Sequence, residues 1–248
     1  MKEIHLFYAP EATTGGLLPP EEAGHAIRVL RLREGDHIFV TDGMGFFHEA
    51  EITIASPKQC HISVVSSTPG VQTWMGEIHL AVAPTKNMDR MEWLVEKATE
   101  IGINSFSFLN CQNSERRVLK TERITKIVIS AMKQSHKAHL PAVNEMTDFK
   151  KFIARPFDGK RYIAHCHNMG ENTEAANNLP SLDTLLRQNK VKNQKVLILI
   201  GPEGDFSLDE VRQAEAAGFQ SISLGRSRLR TETAALAAVH ITNLAQQP

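Results

Sequence analysis

Val196-Leu197-Ile198-Leu199-Ile200-Gly201-Pro202-Glu203-Gly204-Asp205-Phe206-Ser207 is the stretch that decides the fold. An unbroken apolar run stops at Gly-Pro-Glu-Gly. Ser207 and Glu210 then stand at capping-box spacing, with Leu208, Val211 and Ala214 behind them. The order is strand, glycine turn, helix N-terminus. A strand that is apolar on both faces belongs in a parallel sheet covered by helices on each side. In such sheets ligands sit beyond the carboxyl ends of the strands, and glycine lets the backbone approach a ligand closely. Alone, the segment reads equally well as a plain strand-to-helix turn. It is neither GxGxxG nor a Walker loop, so it implies no dinucleotide or nucleoside triphosphate.

A second segment repeats the arrangement. Ile222-Ser223-Leu224 reads as a strand ending at Gly225, and Arg226-Ser227-Arg228-Leu229-Arg230-Thr231-Glu232-Thr233-Ala234 follows. If the loop is extended, Arg226, Arg228 and Arg230 point the same way, and Thr231 or Thr233 can cap the last helix. The alternative is a surface loop with incidental arginines. Two glycine-ended strands so near in sequence predict that their turns lie together.

Outward from these, strands alternate with helices. Ile78 to Ala83 is an apolar strand, and Asn87 to Ile101 carries Met88, Met91, Leu94, Val95, Ala98 and Ile101 at helical spacing before a C-cap Gly102. Met88 and Met91 read as helix core, Trp93 as core or dimer contact. Phe106 to Leu109 is a strand. Helices run through Ile124 to Met132 and, last, through Ala235, Leu236, Val239 and Leu244. This is an α/β pattern. Before the small-residue break Ser66-Ser67-Thr68-Pro69-Gly70 the text changes to short strands, Ile38 to Val40, Phe46 to Ile54 and His61 to Val64, with one helical segment from His25 to Arg33. A small β-barrel or sandwich fits them. The expected division is 1–72 and 73–248.

Of 248 residues, 42% are hydrophobic and 23% charged, which is ordinary globular composition and excludes a disordered or collagen-like chain. Three cysteines without a CxxC pair point to reduced, buried thiols in a reducing compartment rather than a disulfide framework. No apolar run is long enough for a membrane span, and the opening MKEIHLFYAPE lacks the apolar stretch of a secretory signal. The expected location is the cytoplasm.

Net charge is zero, so a polyanion partner must be argued locally. Residues 1–72 hold 5 basic and 9 acidic side chains, and residues 73–248 hold 23 and 19. The basic excess lies at Arg116, Arg117, Lys120, Arg123, Lys126, Lys133 and Lys137, against Glu122 alone. Such a stretch is a footprint for nucleic acid or a solvated helix face. His25, Arg28 and Arg31 recur every three residues, so on a helix they share a face that phosphates could meet. The other reading is a solubilising surface. His165-Cys166-His167 offers two alternate ligands, too few for a metal site, and no metal is expected.

Gly201-Pro202-Glu203-Gly204 with Phe206, Ser207 and Glu210, followed by Leu224-Gly225 and Leu229-Arg230-Thr231-Glu232-Thr233-Ala234, resembles the RsmE family of 16S ribosomal RNA methyltransferases, within the SPOUT superfamily. The resemblance runs through the chain. His25-Ala26-Ile27-Arg28-Val29-Leu30-Arg31 with Gly35-Asp36, then Lys86, Lys97 to Gly102, Ser114-Glu115-Arg116, Gln134-Ser135 and Pro141 are similar to its other motifs. Three positions depart from it. Asp205 stands where a glycine is usual, Arg228 where an isoleucine-like residue is usual, and His136-Lys137 where an arginine is usual.

The resemblance implies an α/β fold, with a SPOUT-type parallel sheet and C-terminal trefoil knot, joined to a small N-terminal PUA-like β-barrel that binds RNA. It implies a homodimer that uses S-adenosylmethionine to methylate N3 of a uridine in 16S rRNA of the small ribosomal subunit. Cofactor binding then falls to Leu199, Ile200, Gly201, Pro202, Glu203 and Gly204 on the first turn, and to Leu224, Gly225, Leu229, Arg230 and Thr231 on the second. Arg230 is expected to orient the uracil or stabilise its anion, and Glu232 or Glu203 to act as base or positioning group. His25, Arg28, Arg31, Lys86, Arg116 and Arg117 are the candidate RNA contacts. Two other readings stay open: an RNA-binding assembly factor without turnover, and a metabolic α/β enzyme acting on a phosphorylated substrate.

Overall fold

The computed structural model describes residues 5–167, 179–189 and 192–248. It divides into two compact units, one of residues 1–72 with 128–140, the other of 73–127 with 141–248.

The first unit holds a four-stranded sheet in the order β1 (Leu6–Tyr8), β2 (His37–Thr41), β3 (Phe46–Ile54), β4 (His61–Pro69). β1 pairs parallel with β2, and the other pairs are antiparallel. Alternation along β2 and β3 sends Ile38, Val40, Ala50 and Ile52 inward, where they meet Phe7, Leu18 and Ala26. The helical segment differs from expectation. It starts earlier, as α1 (Pro20–Gly24), and passes into a wider turn over His25–Val29. Pro20 at its first position explains the start. Arg31 has left the helix and sits at φ 58°, so His25, Arg28 and Arg31 do not form one helical face.

The second unit is a six-stranded, all-parallel sheet ordered β10 (Gln220–Ile222), β8 (Lys160–Ala164), β9 (Lys195–Ile200), β5 (Glu77–Val82), β6 (Ser105–Asn110), β7 (Ala142–Asp148). β9 lies inside, between β8 and β5, which is why its sequence is apolar without alternation. Leu197 and Leu199 pack with Val211 and Ala214 of α6 (Leu208–Ala216) and with Phe149 and Phe152 of α4 (Phe149–Ile153). The final helix α7 (Thr231–Ala245) packs on β5 and β9, with α2 (Met88–Ile101) and α5 (Leu182–Gln188) against it.

α2 is capped at Asn87, whose side chain accepts the Asp89 N–H, and Gly102 closes it at φ 120°. Ser207 and Glu210 form the expected capping box on α6. Two details differ. The last strand stops at Ile222, because the Ser223 backbone pairs instead with Pro180 and Leu182. Trp93 is 43% exposed, which removes the core alternative for it. No helix among the described residues is long and apolar enough to cross a membrane.

Candidate active site

The carboxyl ends of β8, β9 and β10 open into a cavity of about 470 Å³, closed at the side by the first turn of α7 and by Arg90 of α2. That volume lies within the range of small-molecule sites. β8 separates the two glycine-ended strands in the sheet, and their turns meet above its end.

The turn after β9 contributes Ile200, Gly201, Pro202, Glu203 and Asp205 to the wall. A Cβ on Gly201 would stand 3.0 Å from the Phe206 nitrogen, so any larger residue would press on Phe206 and the turn would have to give by a few tenths of an ångström. Asp205 occupies φ 62°. This is the left-handed region that favours glycine and that aspartate tolerates better than most residues. Its carboxylate accepts two backbone N–H groups at 2.8 Å, that of Cys166 at the end of β8 and that of Phe206. Asn113 braces the turn from outside, donating to the carbonyls of Gly204 and Asp205 at 3.3 and 3.1 Å.

The turn after β10 contributes Leu224, Gly225, Ser227, Arg228 and Leu229. Gly225 sits at φ 126° with open space where a Cβ would go. The chain bends at Arg226 and Ser227, so the three arginines are not aligned: Arg228 and Arg230 line the cavity and Arg226 does not. Neither Thr231 nor Thr233 caps α7. Arg230 is the N-cap residue and makes no side-chain cap bond, which leaves first-turn amides unclaimed by a capping side chain at the cavity wall.

Glu203 is held from the side. Its Oε2 accepts the Lys86 N–H at 3.2 Å. Arg116 in turn grips that segment, donating to the carbonyls of Thr85 at 3.2 Å and Lys86 at 2.6 Å. The Lys86 ammonium pairs with Glu115 at 3.0 Å, and Arg117 donates to Asn110 and to the Gln112 carbonyl. Arg123 pairs with Glu92, and Lys133 with Glu22. Much of the basic stretch is therefore engaged within the protein.

Just past β8, burial holds the His165 imidazole below its ordinary range. His165 Nδ1 accepts the His167 N–H at 3.2 Å, so the neutral ring carries its proton on Nε2. His167 donates from Nε2 to the Phe206 carbonyl. Cys60 and Cys111 are buried as expected, but Cys166 is exposed, because it lies past the end of β8 at the cavity. Partial desolvation still raises its thiol, which works against a reactive thiolate.

Nine of the residues assigned to the cofactor from sequence line this cavity: Ile200 to Glu203, Leu224, Gly225 and Leu229 to Thr231. Leu199 is buried beneath it in the core, and Gly204 packs against Asn113. Glu232 is 7% exposed and lies behind the wall, with Oε1 3.7 Å from Arg90. His25, Arg28 and Arg31 belong to the first unit. Sequence reasoning did not find Arg90, which carries no motif signal, or the lining roles of His165, Cys166 and Asp205. In the sequence His165 shows only as half of an alternate pair with His167, and Cys166 only as a thiol, because β8 carries no apolar run that marks it as a strand.

A family model described as an RNA methyltransferase domain matches residues 72–243, and one described as an RNA methyltransferase PUA domain matches residues 18–65. The crystal structure of a probable rRNA-methyltransferase from Porphyromonas gingivalis superposes with TM-score 0.85 and 43% identity, over 98% of both chains. A ribosomal RNA small subunit methyltransferase E from Neisseria gonorrhoeae, solved bound to S-adenosyl methionine, gives TM-score 0.76 and 25% identity over 96% of this chain and 95% of that one. The protein of the same name from Synechocystis sp. is 30% identical over 218 residues, covering 86% of this chain and 67% of the relative.

Proposed function

The chain belongs to the RsmE family of RNA methyltransferases, and on that footing we propose that it transfers a methyl group from S-adenosylmethionine to N3 of one uridine in 16S rRNA of the small ribosomal subunit. One observation carries this reading: both glycine turns and Arg230 face a single cavity at the strand ends.

The residues fit the cofactor. Gly201 and Gly225 give backbone access, the α7 amides have no capping side chain, and the carboxylates of Glu203 and Asp205 suit a positively charged sulfur. Backbone groups around Gly201, Leu224 and Leu229 hold the adenosine, with Leu199 supporting them from below. When bound, S-adenosylmethionine supplies an electrophilic methyl group for in-line displacement. The protein's own part is to position the uridine and dispose of its N3 proton. Arg230 orients the uracil and stabilises its negative charge as that proton leaves. Glu203, a residue of the cavity wall whose Oε2 accepts the Lys86 N–H, is our candidate to take it. Lys86, Arg116 and Arg117 flank the site as RNA contacts, and His25, Arg28 and Arg31 are separate RNA contacts of the N-terminal PUA-like domain of residues 1–72.

The same reading gives residues 73–248 a trefoil knot, closes the N-terminal sheet into a barrel, pairs the chain as a homodimer and places it with its ribosomal substrate in the cytoplasm. The test is to incubate small subunits lacking the modification with the protein and labelled donor, then map the label by mass spectrometry. One N3-methyluridine in 16S rRNA is expected. Label on another base, or none in 16S rRNA, would overturn the proposal.

A further inference from the structure

Glu232 is a buried carboxylate with an unmet need. Its side chain is 9% exposed, and its Oε2 is buried with no hydrogen-bond partner. Burying a carboxylate oxygen without a partner is costly. The nearest opposite charge, Arg90 Nη1, stands 3.7 Å from Oε1, too far for a hydrogen bond. Among the described residues this is the one interaction of the Arg90 side chain, which is 37% exposed and lines the cavity. A guanidinium has five N–H donors in a fixed fork. Here the guanidinium stands beside one buried carboxylate without a hydrogen bond to it, and the same residue lines the cavity.

The charges in the cavity are arranged by element. Glu203 and Asp205 come from the turn after β9, whereas Arg228 and Arg230 lead into α7 and Arg90 comes from the neighbouring α2. The α7 side is therefore the cationic side. Arg90 cannot move far without abandoning Glu232, and Glu232 is fixed in the first turn of a 15-residue helix.

From this geometry we infer that Arg90 is a ligand-contacting residue that binds an anionic oxygen in the cavity, and that Glu232 is its positioning residue rather than a group that meets substrate. The inference rests on the methyltransferase reading. Two sources could supply the oxygen: the carboxylate of S-adenosylmethionine, or the target nucleotide through its phosphate or the charge developing on its uracil. Glu232 acts on either only through Arg90.

The test is a two-residue cycle on the full chain: Arg90→Ala, Arg90→Lys, Glu232→Gln and the double variant Arg90→Ala/Glu232→Gln. Each is measured for S-adenosylmethionine affinity by calorimetry and for kcat and KM on small subunits. If the oxygen is the cofactor's, Arg90→Ala weakens cofactor binding tenfold or more. If it is the nucleotide's, cofactor affinity stays and kcat falls tenfold or more. Glu232→Gln should shift the same parameter three- to tenfold, and Arg90→Lys should recover part of the loss. The double variant should match Arg90→Ala alone. It also removes the uncompensated buried charge, so it should be the more stable of the two, and its parameters stand in for the single variant if Arg90→Ala does not fold. Arg90→Ala within twofold of wild type in both assays overturns the inference, and a multiplicative loss in the double variant overturns the positioning role. Wild-type protein that takes up no S-adenosylmethionine sinks the methyltransferase reading together with this one.

Discussion

Asp205 Oδ2 accepts the backbone N–H of Cys166 at 2.8 Å, tying the turn after β9 to the end of β8. The two walls joined in this way both face the cavity. The family resemblance places a glycine here, and the left-handed φ of 62° explains why. Aspartate tolerates that conformation and adds an acceptor glycine lacks. A charge-assisted hydrogen bond contributes about 1.5–3 kcal/mol. Asp205→Gly should therefore keep the backbone path, lose the tie and weaken S-adenosylmethionine binding about tenfold in a calorimetric titration. Asp205→Asn retains one acceptor and should stay within about threefold. Equal affinity in Asp205→Gly and wild type would mean the tie does not shape the site.

Gly225 and Gly35 form a natural pair of controls. Both have positive φ, 126° and 85°, and neither has an atom near the position of a Cβ. Alanine at either therefore strains only the backbone, at about 1–2 kcal/mol. Both variants should melt a few degrees lower, and only Gly225→Ala should lose cofactor affinity. A similar loss in Gly35→Ala would show that the effect is global.

Ser207 accepts the Glu210 N–H at 3.2 Å, and Glu210 Oε2 accepts the Ser207 N–H at 2.8 Å. Glu210 Oε1 also accepts the Gln112 N–H at 2.8 Å, so the box ties α6 to the segment after β6. Ser207→Ala should cost about 1 kcal/mol, read as a fall in Tm of about 2–4 °C. Glu210→Ala should cost more, since it breaks two bonds. The reverse ranking would contradict the geometry.

Acid stability should depend on His79. Its Nε2 lies 2.8 Å from the Ser107 hydroxyl, and the rings of Phe152 and Phe157 are close by. Burial first, and the Arg155 charge second, lower its pKa to about 4, against 6.5 for an ordinary histidine. The folded chain keeps the ring neutral while the unfolded chain protonates it. This contribution is whole above pH 6.5 and is lost as pH falls toward 4, by about 2–3 kcal/mol at 1.36 kcal/mol per pKa unit. His79→Gln should flatten that part of the pH profile in urea titrations at pH 7.5 and 4.5. An unchanged slope would place the acid sensitivity elsewhere.

The parts of the site legible in sequence were those whose local chemistry is forced. β9 is apolar because it is buried on both faces, Gly201 sits where Phe206 closes tightly behind the turn, and Ser207 and Glu210 announce the helix. β8 was not legible. It is short, opens with Lys160 and Arg161, and owes its place between β9 and β10 to pairing rather than to an apolar run. With β8 unread, His165 and Cys166 could not be placed at the cavity. Arg90 was hidden for a different reason: its partner Glu232 is distant in the chain, and only the packing of α2 on α7 brings them together. The three-residue spacing of His25, Arg28 and Arg31 misled because Pro20 starts the helix early and Arg31 turns out of it.

The account stands on two glycine turns holding one methyl donor beside Arg230, and a crystal structure of the full chain grown with S-adenosylmethionine tests it most directly. The expected density places the adenosine against the backbone of Gly201, Leu224 and Leu229, with the methyl group open toward Arg230. Density at any other place on the chain, or a donor contacting only one of the two turns, would contradict it.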